Sequence, residues 1–113
     1  MSERIPALLA QDILEAIQEI REFTEGMDFP AFDADKKTKY AVLRCLMVIG
    51  EAVNRLPQSI KNDYPEIEWS KILRSRHIVA HEYSVVDYPI VWRILSIYLT
   101  PLRSVMEKIQ KSL

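Results

Sequence analysis

The spacing of apolar residues constrains the fold of this chain more than any other feature, because it is helical through most of the sequence. In the segment IPALLAQDILEAIQEIREFTEG, one side of a helix would carry Ile5, Leu8, Leu9, Ile13, Ala16, Ile17, Ile20 and Phe23. Only two glycines occur and no Asn-Gly or Asp-Gly pair is present, so the material for β-hairpins is scarce. We therefore expect an all-α fold.

The segment KKTKYAVLRCLMVIGEAVNRL is the most apolar of the chain. Its apolar residues occupy most of the circumference of a helix, so this helix should lie at the centre, and Pro57 should end it. Gly50 within it costs about 1 kcal/mol relative to alanine, which indicates close packing against another helix at that point. Glu51 and Arg55 stand four residues apart and predict a modest surface ion pair.

The remaining segments complete a bundle of four or five helices. FPAFDAD is expected to be a connector in which Asp33 or Asp35 can cap the next helix, and PQSIKNDYPEIE to be a loop with one short helical turn. EWSKILRSRHIVAHEY resumes helical spacing, and SVVDYP predicts a turn with Asp87 as N-cap and Pro89 in the first turn of the next helix. The last helix, IVWRILSIYLTPLRSVMEKIQKSL, should kink or split at Pro101.

Size and composition predict a single domain over residues 1–113. The one cysteine, Cys45, excludes a disulfide within the chain, fits a reduced compartment and is expected to be a buried structural thiol. No stretch approaches the ~20 apolar residues of a membrane span and no signal core begins the chain, so we expect a cytoplasmic protein. The net charge of −1 excludes a global basic footprint, and an anionic ligand would have to bind locally.

Residues 74–84, RSRHIVAHEYS, hold two arginines and both histidines of the chain. On a helix that turns about 100° per residue, Arg74, His77 and His81 lie on one stripe, whereas Arg76 is about 140° from His81. A backbone that unwinds at the end of the helix could still bring Arg76 and His81 together. Helical spacing therefore leaves open which arginine works with the histidines.

This cluster suits cleavage of RNA by attack of the ribose 2′-hydroxyl on the adjacent phosphate. Histidine can take and return a proton near neutral pH, and arginine binds phosphate through paired N–H groups. A zinc site is less consistent with the sequence, because Ile78 stands where a metalloprotease has glutamate and no third ligand is evident. We expect no metal and no cofactor. A structural alternative remains, in which an arginine-rich helix end uses His81 to contact the last carbonyls.

The segment RHIVAHEY resembles the signature of the HEPN superfamily, and its H-x-Y extension is similar to that of HepT-like toxins. Four further segments fit that family in the expected order, namely MVIGEAVNRLP, YPEIEW, VDYPIVW and LTPL. By position, the resemblance makes Arg76 and His81 the catalytic pair and Tyr83 the motif tyrosine. His77 stands where relatives often have asparagine, and Arg74 stays admissible as a substitute for Arg76.

The resemblance also implies an assembly and a partner. It implies a HEPN-type helical bundle that forms a homodimer, places two motifs in one cleft and acts as a metal-independent ribonuclease toxin. A cognate nucleotidyltransferase antitoxin would inhibit it by attaching AMP to Tyr83. The alternative hypothesis is a non-catalytic helical module that binds and regulates a nucleotidyltransferase. The two hypotheses differ at His81, since only the nuclease needs a titratable group there.

Overall fold

The computed structural model describes the backbone of residues 4–81 and 86–112, and the side chains of residues 5–76 and 86–112. This part of the chain is helical and contains no strand. The elements are α1 (Arg4–Phe23), α2 (Phe29–Ala34), α3 (Lys36–Arg55), α4 (Gln58–Asp63), α5 (Trp69–His81), α6 (Tyr88–Arg93), a π-helical turn (Ile94–Tyr98) and α7 (Leu99–Ser112). The predicted all-α class is confirmed.

The long helices form a bundle with α3 at its centre. α3 packs against α1 and α5, and α1 also packs against α7. The most completely buried large side chains are Phe32, Ile13, Ile17, Ile20, Leu46, Ile49, Ile72, Leu99, Leu102 and Met106. Four long segments build the bundle, since α6, the π turn and α7 follow one another without a break, and the short helices α2 and α4 connect them. The prediction of a four- or five-helix bundle is confirmed.

The segment FPAFDAD is a helix, so the prediction of a simple connector was wrong. The Asp28 carboxylate caps α2 by accepting a hydrogen bond from the Ala31 N–H at 3.0 Å, and Pro30 lies in the first turn. Phe32 is fully buried, and its ring centroid lies 4.9 Å from that of Trp92. A cap and one buried aromatic anchor stabilise this six-residue helix, although it is too short to show helical periodicity.

Asp35, rather than Asp33, caps the central helix. Its carboxylate accepts a hydrogen bond from the Thr38 N–H at 3.1 Å, and this bond holds the pKa of Asp35 below its ordinary value. Asp33 lies inside α2 and pairs with Lys39 at 3.6 Å. Asp87 caps α6 as predicted. Asp35 therefore fixes the start of α3, and Asp87 fixes the start of α6.

The last helix is disturbed before Pro101 rather than at it. The π-helical turn ends at Tyr98, and Pro101 lies in the first turn of α7. A proline ring crowds the carbonyl four residues earlier, here Ile97, and Ile97 belongs to the widened turn. The proline is therefore accommodated by a π turn, and the chain continues in the same helical segment.

Candidate functional site

The centre of α5 approaches α3 most closely at Gly50. A Cβ atom placed on Gly50 would lie 2.6 Å from Cβ of Arg76 and 3.2 Å from the Arg76 Cα and N. Real Cβ atoms essentially never come within 3.0 Å of a heavy atom of another segment, so only glycine allows this approach. The predicted close packing at Gly50 is confirmed, and its partner is the motif arginine.

The Arg76 guanidinium is paired with α3. Its Nη1 donates to Oε1 of Glu51 at 3.3 Å, and the two side chains are 38% and 56% exposed. Glu51 therefore pairs across the helix interface, and the predicted surface pair with Arg55 was wrong. The close approach at Gly50 explains the difference, because it places Arg76 next to the glutamate that follows the glycine. An exposed pair contributes at most about 1 kcal/mol, so its main consequence is the orientation of Arg76.

The two candidate arginines, Arg74 and Arg76, lie on different sides of α5. Ser75 between them is buried, and its hydroxyl donates to the Ile72 carbonyl at 2.6 Å. Arg76 faces α3, whereas Arg74 is exposed and lines a groove beside α6. The structure thus separates the two candidates that the sequence left open.

The histidines occupy positions on a continuous helical backbone. α5 is helical through His81, so the backbone does not unwind between Arg76 and His81. At about 100° per residue, position 81 follows the stripe of Arg74 and His77 and is about 140° from Arg76. The side chains of His77 and His81, and the whole of Tyr83, lie outside the described residues. The backbone alone therefore gives no reason for Arg76 and His81 of one chain to share a site.

Glu51 is the site residue that sequence reasoning missed. Its available signal was the Gly-Glu pair in the MVIGEAVNRLP segment, where a glycine inside an apolar helix marks a close contact.

Cys45 lies five residues before Gly50 and is buried. Burial raises the pKa of its thiol to about 11. This environment fits a structural thiol and keeps the reactive thiolate scarce at neutral pH.

Among the helices of the described residues, none combines the length and apolarity needed to cross a membrane. The described residues thus form an all-α bundle in which Arg76 of α5 packs on Gly50 and pairs with Glu51 of the central helix.

Comparison with known proteins defines the family. A family model described as "Ribonuclease HepT-like" matches residues 13–109. The chain is 40% identical over 102 residues to "Putative RNase MJ0125" of Methanocaldococcus jannaschii, covering 90% of this chain and 88% of that protein. It is also 40% identical over 101 residues to "Probable ribonuclease HepT" of Thermococcus cleftensis, covering 89% and 92%. No solved structure matches. The chain belongs to the HepT-like family.

Proposed function

We propose that this protein is a metal-independent endoribonuclease toxin of a HEPN/nucleotidyltransferase pair, with Arg76 and His81 as its catalytic residues. Membership of the HepT-like family and the ribonuclease names of its relatives support the activity. The single observation that carries the site is the seating of Arg76 on Gly50 and Glu51. This contact holds the permanently charged guanidinium of Arg76, which would bind phosphate, in place before substrate binds.

The reaction needs two proton transfers and stabilisation of charge on phosphate. A neutral histidine takes the proton of the ribose 2′-hydroxyl as the 2′-oxygen forms a bond to phosphorus. The bond from phosphorus to the 5′-oxygen breaks, and a protonated histidine gives its proton to that oxygen. The products are a 2′,3′-cyclic phosphate and a 5′-hydroxyl. Arg76 stabilises the charge that develops on the phosphate oxygens, and Arg74 and His77 support substrate binding.

A homodimer supplies the groups that one chain lacks. Positions 76 and 81 lie about 140° apart on α5, so one helix does not direct both residues to one phosphate. A two-fold axis beside α5 places two copies of each residue around one cleft. One copy of His81 then acts as the base and the other as the acid. The dimer also doubles the cations that meet the RNA.

The proposed partner is a cognate nucleotidyltransferase antitoxin that modifies Tyr83. AMP on the Tyr83 hydroxyl would fill the cleft and add a negative charge near Arg76, and this charge would repel substrate phosphate. Tyrosine itself is a poor acid or base at neutral pH, since its pKa is ordinarily about 10. Regulation is therefore the role that suits this residue.

The test of catalysis is cleavage of single-stranded RNA in the presence of a chelator. We expect His81→Ala and Arg76→Ala each to lower the rate by about 10²- to 10⁴-fold, as loss of an acid, base or charge-stabilising group does. Lys108→Ala, at an exposed position of α7, is the matched control and should cleave like the parent. Cleavage by His81→Ala at the parent rate would contradict the assignment. Loss on Arg74→Ala alone would transfer the arginine role to Arg74.

The test of regulation is incubation with the partner nucleotidyltransferase and ATP. We expect intact-mass analysis to show AMP on the parent protein and none on Tyr83→Phe, which should keep its cleavage activity and escape inhibition. Mapping of the adduct by peptide mass analysis provides the control. An adduct on Ser84 or Tyr88, with Tyr83 unmodified, would refute this part of the proposal.

A further inference from the structure

A groove separates α5 from the first turns of the last helical segment. Its lining residues are Lys71, Arg74, Ile90, Arg93, Ile94 and Tyr98, and its volume is about 250 Å³. It opens to solvent and is smaller than the ~300–1,000 Å³ of a typical enclosed small-molecule site. These dimensions fit one unit of an extended chain better than a whole enclosed ligand.

Among the residues that the structure describes, the charged residues that line the groove are all cations. Arg74 and Arg93 are exposed, and among the described side chains no carboxylate lies within 4.0 Å of either guanidinium. Lys71 pairs with Glu68, outside the groove, at 3.2 Å. Hydrogen bonding to Tyr98 and then to Glu68 raises the pKa of Lys71 above its ordinary value, so the groove does not weaken the charge of this amine. A chain with a net charge of −1 therefore gathers three positive groups around one depression.

The floor of the groove is apolar and partly aromatic. Ile94 is buried, Ile90 is 45% exposed, and the half-buried Tyr98 presents its ring 5.7 Å from the Lys71 amine. Cations around an aromatic and aliphatic floor suit single-stranded nucleic acid, since phosphates contact the charges and a base contacts the apolar surface. The positive charge that complements RNA phosphate is concentrated at this groove, because a chain close to neutral overall can attract RNA only through a local cluster of cations.

We propose that this groove binds the single-stranded RNA next to the cleaved phosphate. Lys71 and Arg74 are three residues apart on α5, and position 81 follows Arg74 by seven residues on the same stripe. At a rise of 1.5 Å per residue, the groove cation and the histidine position are about 10 Å apart along the helix axis. One strand lying along α5 therefore reaches both. The identity of the ligand as substrate rests on the proposed function.

The experiment measures RNA binding separately from cleavage. The probe is a fluorescein-labelled single-stranded RNA with 2′-O-methyl groups at every position, which removes the attacking hydroxyl, and anisotropy is recorded from low to high salt. Each phosphate contact on a single strand contributes about 0.7 to the slope of log K against log salt. We expect Lys71→Gln and Arg93→Gln each to lower the slope by about 0.7 and to weaken binding about fivefold at 0.1 M salt. The control Lys108→Gln should bind like the parent.

The outcomes separate this proposal from the proposed catalytic site. Parent-like affinity and slope in both groove variants would overturn the groove, even if His81→Ala abolishes cleavage. An equal loss in Lys108→Gln would show general charge attraction and would also overturn it. Parent-like RNA binding with loss of the nucleotidyltransferase complex would identify a protein as the occupant and refute RNA. Loss confined to the groove variants supports the groove, even if His81→Ala still cleaves RNA.

Discussion

Replacement of Gly50 by alanine sets two effects of opposite sign against each other. Alanine favours the helix by about 1 kcal/mol over glycine. The added Cβ, however, would lie 2.6 Å from Cβ of Arg76 and 3.2 Å from the Arg76 Cα and N. These atoms belong to or adjoin the backbone, so rotation of the Arg76 side chain does not relieve the contact. Overpacking of this kind costs about 1–3 kcal/mol. We expect a net loss of about 1 kcal/mol of unfolding free energy.

The assay is thermal unfolding followed by far-UV circular dichroism. A loss of about 1 kcal/mol lowers the Tm of a domain of this size by about 4 °C. Asn54→Ala is the matched control, because Asn54 is exposed on the same helix and the change alters propensity alone. It should raise stability by up to about 0.7 kcal/mol. The two variants should therefore move the Tm in opposite directions.

An equal rise in Tm for Gly50→Ala and Asn54→Ala would refute the reasoning. It would mean that α5 moves away from α3 at negligible cost, so that the contact does not hold Arg76. RNA cleavage provides the second measurement, since a displaced α5 carries Arg76 with it. A Tm lowered by about 4 °C together with full activity would separate the packing role of Gly50 from the positioning of Arg76.

Three other predictions concern Glu51, Cys45 and assembly. Glu51→Gln should slow RNA cleavage by up to about fivefold because it releases Arg76, with a change in unfolding free energy below about 1 kcal/mol. Glu51→Asp should restore part of the rate, and Arg55→Gln should retain it. The thiol pKa of Cys45 is raised to about 11, so Cys45 in the folded protein should react with an aromatic disulfide reagent at pH 8 far more slowly than free glutathione does. In urea the two rates should be comparable. Fast labelling of the folded protein would contradict the burial of Cys45. Light scattering should give twice the 13.2 kDa chain mass, and a strict monomer would contradict the shared cleft.

Local signals in the sequence were sufficient to predict most of the fold. The apolar stripe that begins at Ile5 predicts α1, and the caps Asp35 and Asp87 mark the starts of α3 and α6. α2 was missed because six residues show no period, although Asp28 followed by Pro30 carried the N-cap signal. The π turn was not predicted, because Pro101 indicates a disturbance of the helix but not whether the helix kinks, splits or widens.

The partner of Arg76 could not be predicted, because it depends on the contact between two helices. Along α3 the i, i+4 rule assigns Arg55 to Glu51, and this rule holds only where no closer cation approaches from outside the helix. Arg76 follows Glu51 by 25 residues and reaches it because Gly50 removes the side chain that would keep α5 away. The mid-helix glycine indicated a contact, but no local pattern identifies which residue makes it.

The distribution of charge around α5 leads to the last step of the argument. Arg76 is directed to the face that contacts α3, while Lys71 and Arg74 are directed to the groove beside α6. One helix therefore separates its cations onto two sides, and a single chain does not concentrate them on one phosphate. The scissile phosphate could contact Arg76 while the neighbouring RNA strand lies in the groove. This requires that the RNA pass from one side of α5 to the other at a two-fold axis. In the proposed homodimer, this arrangement would let a chain of net charge −1 bind a polyanion strongly at the dimer cleft and weakly elsewhere.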